Sequence, residues 1–119
     1  DCTVIATGIM VEYALEAAEK MAEDGVSVRV VNMHTIKPID DELVVKCARE
    51  TGRIVTAEEA NVIGGLGSAV CEVVAGTVPV PVKRIGVEDR FGRSGTPEEL
   101  LEAYGLTAEH IEEEIRSMM

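Results

Sequence analysis

The sequence contains no tryptophan and only three aromatic residues, Tyr13, Phe91 and Tyr104. A core built from this chain must rely on aliphatic side chains, which suit helices packed closely on a sheet. The shortage also argues against a surface that stacks nucleic-acid bases on aromatic rings. Basic residues are few as well, 11 against 22 acidic ones, and the net charge of -11 argues against nucleic acids and anionic membranes as main partners.

Cysteine is scarce and widely spaced, at Cys2, Cys47 and Cys71, with no C-x-x-C pair. Neither a disulfide framework nor a zinc site is indicated, so we expect a reducing, cytoplasmic compartment. The first residues are too acidic for a signal peptide. No apolar run approaches the roughly 18 residues of a membrane-spanning helix. With 119 residues, the chain fits one compact domain over residues 1–119.

Short apolar runs alternate along the chain with segments of helical period. Asp40 is predicted to cap the second helix, while Gly25 and Gly52 are predicted to end the first two. This alternation predicts an α/β fold in three layers, with helices on both faces of a mostly parallel sheet of about four strands. Strands are predicted at residues 2–7, 26–33, 53–59 and 81–87, and helices at 10–24, 41–51, 68–78 and after the caps Thr96 and Thr107.

The glycine-rich segment from Gly64 to Ser68 opens the third predicted helix. Ligands of parallel sheets bind beyond the carboxyl ends of the strands, and this segment lies at that edge. Backbone N–H groups at a helix N-terminus can face an anion. A nucleotide- or anion-binding module that uses Gly64 to Ser68 is therefore one hypothesis.

Other features of the same segment favour a contact with protein instead. Residues 60–63 make the loop longer than a dinucleotide-binding turn, and Glu58 and Glu59 would repel a phosphate. Glycines also let two pieces of backbone approach closely, and Glu58 or Asn61 can then accept hydrogen bonds from buried N–H groups. His34 reaches the same edge but has no nucleophile beside it in the sequence. We predict no catalytic residue and no metal site in this chain.

A second contact candidate is "VEDRFGRSG", residues 87–95, which places Phe91 between Arg90 and Arg93. An exposed aromatic flanked by arginines is typical of a contact surface. The alternative is that Phe91 anchors the loop to the core, and the sequence leaves both interpretations open.

Three long strings carry a family resemblance: "VIATGIMVEYALEAAEKMAEDGVSVRVVNMHTIKPID", "GRIVTAEEANVIGGLGSAVCEVV" and "VKRIGVEDRFGRSGTPEELLEAYGLTAEHI". They strongly resemble the C-terminal domain of transketolase-like enzymes, which use thiamine diphosphate. The resemblance extends in order over nearly the whole chain and is strongest to the C-terminal subunit of split transketolases. The motifs T-I-K-P-I-D, E-E-x-N-x-x-G-G-L-G-S and D-R-F-G-x-S-G are specific in combination.

The resemblance implies a three-layer α/β/α domain, with an additional antiparallel edge strand before "TVIATG" that this chain lacks. We therefore expect the chain to be a domain of a longer polypeptide. Thiamine diphosphate and magnesium would be held by other domains, since no G-D-G motif occurs here. Ketol transfer between sugar phosphates is the expected reaction, while deoxyxylulose phosphate synthesis and 2-oxo acid decarboxylation remain open.

The family role implied for this domain is non-catalytic: packing against the other domains or an N-terminal subunit, and against a homodimer partner. Neither nucleic acid nor membrane is an expected partner. The candidate interface or anion-loop residues are Glu58, Asn61, Gly64, Gly65, Gly67, Ser68, Thr35, Lys37, Asp40, Arg90, Phe91 and Tyr104.

Overall fold

The computed structural model describes residues 1–33, 39–61, 65–87 and 107–119. Within these residues, each strand is followed by a helix. The strands are β1 (Cys2–Ala6), β2 (Val28–Asn32), β3 (Ile54–Asn61) and β4 (Val82–Val87), and the helices are α1 (Met10–Glu23), α2 (Asp41–Thr51), α3 (Leu66–Gly76) and α4 (Ala108–Ser117).

The described strands form one sheet of four in the order β2-β1-β3-β4, and every pair is parallel. The chain passes from β1 outward to β2, crosses back to β3 and continues to β4. The direction of the connections therefore reverses between β1 and β3, which makes their carboxyl ends the switch point of the sheet. The predicted α/β fold with a mostly parallel four-stranded sheet is confirmed.

Two apolar layers cover the two faces of the sheet. Val4 and Ala57 pack on one face with residues of α1 and α4, whereas Ile5 and Ile54 pack on the other with residues of α2 and α3. Because successive residues of a strand point to opposite faces, neighbouring residues of β1 serve different layers. All four of these side chains are fully buried.

The helix boundaries follow the predicted local chemistry. Gly25 and Gly52 both have positive φ, +78° and +72°, which glycine adopts without the penalty that other residues incur. Asp40 Oδ1 accepts a hydrogen bond from the Leu43 backbone N–H at 3.1 Å, so Asp40 caps α2. Thr107 caps α4 in the same way, through a 3.2 Å bond from the backbone N–H of His110.

The starts of β2 and α3 differ from the sequence-based expectation by two residues each, and so do the ends of β3 and α3. β2 begins at Val28 because the Val26 backbone N–H bonds to the Met21 carbonyl and is used in closing α1. α3 begins at Leu66 although Gly65 offers no side chain to cap it. The predicted helix after Thr96 lies outside the described residues.

A candidate interface at the carboxyl edge of the sheet

The carboxylate of Glu58 lies inside the domain, although the sequence places it near the functional edge. Glu58 is only 2% exposed. It follows Thr56 by two residues on β3, so both side chains point to the face that carries α3. A buried glutamate requires hydrogen-bond partners, because removing a carboxylate from water is costly.

The partner of Glu58 is the start of α3. Its Oε2 accepts a hydrogen bond from the Gly67 backbone N–H at 3.1 Å. The N-cap residue Gly65 has extended backbone (φ -94°, ψ -153°) and no side chain with which to cap the helix. Glu58 therefore performs from β3 the task that a serine or aspartate performs at an ordinary N-cap, and its negative charge faces the positive end of the helix dipole.

Burial has the largest effect on the pKa of Glu58. Loss of solvation raises the pKa of Glu58 above its ordinary value, because the charged form is penalised most. The backbone N–H groups of Gly67 and Leu66, together with the positive charge of Arg84, act in the opposite direction and only partly offset the effect of burial.

α3 lies so close to Arg84 of β4 that a side chain does not fit at Gly67. A β-carbon at this position would lie 2.7 Å from Cδ and 2.8 Å from Cγ of Arg84, and 3.0 Å from Thr56 Oγ1. Arg84 pairs in register with Thr56 on the neighbouring strand, which carries its methylene groups across the first turn of α3. The glycine thus serves an approach within the domain.

The sequence-predicted candidates fall into three groups in the structure. Glu58 and Gly67 are buried, and Asp40 is occupied as the cap of α2. Gly65 and Ser68 are half-buried at the N-terminus of α3, and the backbone of Asn61 ends β3. The remaining candidates lie outside the described residues: Thr35, Lys37, Gly64, Arg90, Phe91 and Tyr104.

The anion-binding hypothesis is not supported by this geometry. An anion at a helix N-terminus needs free backbone donors, but the Gly67 N–H is already bonded to a carboxylate. The same negative charge would repel a phosphate at that position. The prediction that Glu58 would accept a hydrogen bond from a buried N–H group is confirmed.

The three cysteines differ in their burial. Cys2 and Cys47 are buried, and burial raises the pKa of the Cys2 thiol. Cys71 is half-exposed on α3. Within the described ranges, no group of three or more His, Cys, Asp and Glu could hold a metal ion, and no helix could span a membrane.

Sequence reasoning did not select Thr56 or Arg84. Thr56 could have been found from the period of two along β3, which places it beside Glu58. Arg84 has no such local signal, because its approach to Gly67 depends on the pairing of β3 with β4.

Comparison with known proteins shows that the chain matches a protein family. The family model described as "Transketolase, C-terminal domain" matches residues 1–111. A 6-deoxy-6-sulfo-D-fructose transketolase subunit of Clostridium sp. (strain MSTE9) is 52% identical over 111 residues, which are 93% of this chain and 34% of that protein. The 1-deoxy-D-xylulose-5-phosphate synthase of Heliobacterium modesticaldum is 46% identical over 112 residues, 93% of this chain and 17% of that protein.

A solved structure agrees with both relatives. A split-gene transketolase, described as an inactive β4 tetramer, superimposes with a TM-score of 0.95 at 52% identity, covering 99% of this chain and 39% of that one. The chain thus spans between about a sixth and two fifths of the proteins that it resembles. The match over residues 1–111 and the shared fold establish that this chain belongs to the transketolase C-terminal domain family.

Proposed function

We propose that this chain is the non-catalytic C-terminal domain of a transketolase-type enzyme and supports its assembly. The whole enzyme would transfer a two-carbon ketol unit between sugar phosphates, as in pentose phosphate metabolism, in the cytoplasm. The domain would pack against the remaining domains or an N-terminal subunit and against a homodimer partner. The observation that carries the proposal is the family match over residues 1–111.

The chain covers only part of each relative, which favours a non-catalytic role for this domain. The transketolase subunit from Clostridium extends well beyond the matched region, which is 34% of its length. The related split-gene structure is described as an inactive β4 tetramer, although it contains a region equivalent to 99% of this chain. Both facts favour a reaction centre built with residues from outside this chain.

Thiamine diphosphate, on which the enzymes of this family depend, does not fit the described residues. Its diphosphate would need donors or a metal site, and the N-terminus of α3 is instead bonded to the Glu58 carboxylate. We therefore assign the cofactor and its magnesium ion to the other parts of the enzyme and derive no catalytic step from this chain.

The interface that we propose lies at the carboxyl edge of the sheet. Gly65 and Ser68 are only half-buried there, whereas Glu58 and Gly67 lie beneath them and hold the first turn of α3 in place. Asp40 lies at the start of α2, exposed and also engaged as its cap. Asn61, whose backbone ends β3, and the candidates outside the described residues complete the proposed surface; the latter are Thr35, Lys37, Gly64, Arg90, Phe91 and Tyr104.

A reconstitution experiment tests the proposal. The chain would be assayed for ketol transfer between sugar phosphates with thiamine diphosphate and magnesium, first alone and then co-expressed with the cofactor-binding part of its parent enzyme. We expect no turnover from the chain alone and turnover when both parts are present. Turnover by the chain alone would contradict the non-catalytic assignment.

A second measurement tests the length of the native polypeptide. An antibody raised against this chain would be used on lysate of the source cells. A band much larger than 12.7 kDa is expected if the domain belongs to a longer polypeptide. A band at 12.7 kDa would contradict that expectation.

Calorimetric titration with NAD, ATP and phosphate tests the anion-binding hypothesis. We expect no saturable heat, and saturable heat would restore that hypothesis.

A further inference from the structure

Two side-chain oxygens on β3 have no hydrogen-bond partner among the described residues. They are Thr56 Oγ1 and Glu58 Oε1, and the two residues are 1% and 2% exposed. Buried polar atoms in folded proteins are nearly always bonded to protein or to ordered water. Because both atoms lie on the face of β3 that carries α3, one small molecule between them can bond to both.

The spacing of the two residues fits a partner of very small size. Residues two apart on a strand are separated by about 6.6 Å at their α-carbons, and their side chains point the same way. One atom that bonds to both oxygens at about 2.8 Å can join groups up to roughly 5.5 Å apart. A β-carbon on Gly67 would approach Thr56 Oγ1 to 3.0 Å, so α3 closes the space from above.

The charges around the two oxygens argue against a metal cation. The N-terminus of α3 presents positive backbone N–H groups there, and the positive charge of Arg84 also acts on Glu58. Among the described residues, the buried side-chain oxygens without a partner are one carboxylate oxygen and one hydroxyl, which is a poor oxygen set for sodium, potassium or magnesium. A neutral molecule that can donate to both oxygens fits the site better, and water has two O–H donors and can also accept from the threonine hydroxyl.

We propose that one buried water molecule bridges Thr56 Oγ1 and Glu58 Oε1 beneath the first turn of α3. The water would donate to Glu58 Oε1 and bond to the Thr56 hydroxyl, while Glu58 Oε2 remains on the Gly67 N–H. The carboxylate would then be bonded through both oxygens, which explains how a buried glutamate caps this helix.

A high-resolution crystal structure of the protein, as this chain or within its parent polypeptide, tests the site directly. We expect a single density peak at hydrogen-bond distance from both oxygens. The proposal is overturned by an empty site, by a protein donor from residues 62–64 in its place, or by a peak with the short contacts and five or six oxygen ligands of a cation.

Variants test the same site in solution. Thr56→Val removes the hydroxyl at nearly constant shape and should lower the midpoint of chemical denaturation, because the water loses a partner. Thr3→Val is the matched control: Thr3 is also fully buried on the sheet, but its Oγ1 lies 2.8 Å from Thr51 Oγ1. It should lower the midpoint too. A raised midpoint for Thr56→Val alone would mean that its hydroxyl has no partner, which overturns the proposal.

A double-mutant cycle between Thr56→Val and Glu58→Gln separates a shared water from two independent effects. If one water joins the two side chains, the effects of the two substitutions should not add. Additive effects would overturn the bridge. The crystal structure decides the question independently if a variant fails to fold.

Discussion

The backbone N–H of Gly67 donates to the carboxylate of Glu58, nine residues earlier in the chain, at a distance of 3.1 Å. This bond joins the end of β3 to the first turn of α3 inside the domain. The acceptor is a buried acid, and the donor lies at a helix N-terminus. A β-carbon at Gly67 would press on both Arg84 and Thr56. The segment that most resembles a ligand-binding loop thus serves first to connect the sheet with its helix.

The protonation of Glu58 should make stability depend on pH. Because burial raises its pKa, the native state holds this proton more tightly than the unfolded chain does. The contribution of Glu58 to the free energy of unfolding is therefore full below the ordinary glutamate pKa of 4.5, declines as pH rises to the native pKa, and is constant above it. Glu58→Gln cannot titrate and should lack this decline.

Denaturant titrations at pH values from about 4 to about 8 would measure this effect. The free energy of unfolding of the native protein minus that of Glu58→Gln should fall as pH rises. Glu72→Gln, which changes an exposed glutamate on α3, controls for the loss of one negative charge. A difference that rises with pH would show that the pKa of Glu58 is lowered instead.

Gly67→Ala should destabilise the domain. The new β-carbon would lie 2.7 Å from Cδ of Arg84 and 3.0 Å from the buried Thr56 Oγ1. Arg84 is exposed and can turn aside, but Thr56 is fixed on β3. We expect a loss of about 1–2 kcal/mol in the free energy of unfolding, after the better helix propensity of alanine is included.

Gly76→Ala is the matched control for this substitution, because Gly76 is in the same helix and a β-carbon there would meet nothing within 4 Å. It should leave stability unchanged or raise it by up to about 1 kcal/mol. Adding Arg84→Ala to Gly67→Ala should restore part of the loss. Equal stabilities for the two single alanine variants would refute the close approach as the reason for this glycine.

Asp40→Ala should weaken the start of α2. Asp40 Oδ1 accepts the Leu43 N–H at 3.1 Å, and removal of such a cap costs about 1 kcal/mol. Asp40→Asn keeps an acceptor and should cost much less. Thermal or denaturant unfolding of the two variants measures the difference, and an equal loss in both would mean that the charge matters more than the cap.

Local chemistry in the sequence determined four of the helix ends, the approximate positions of the strands and the class of fold. Gly25, Gly52, Asp40 and Thr107 act at helix ends as their residue types predict, because capping and positive φ depend on only a few neighbouring residues. The alternation of strands and helices likewise requires a parallel sheet, since each crossover returns the chain to the same end. The motifs in combination were sufficient to identify the family.

The tertiary structure alone decided what the carboxyl edge contains. The register that pairs Thr56 with Arg84 places the Arg84 methylenes over Gly67, and no local pattern encodes that pairing. Whether Glu58 points to a ligand or to α3 depends on how closely the helix packs on β3. The sequence determines which residues can cap a helix or adopt a positive φ, because those properties depend on near neighbours. Burial and contacts between distant residues exist only after the strands have paired.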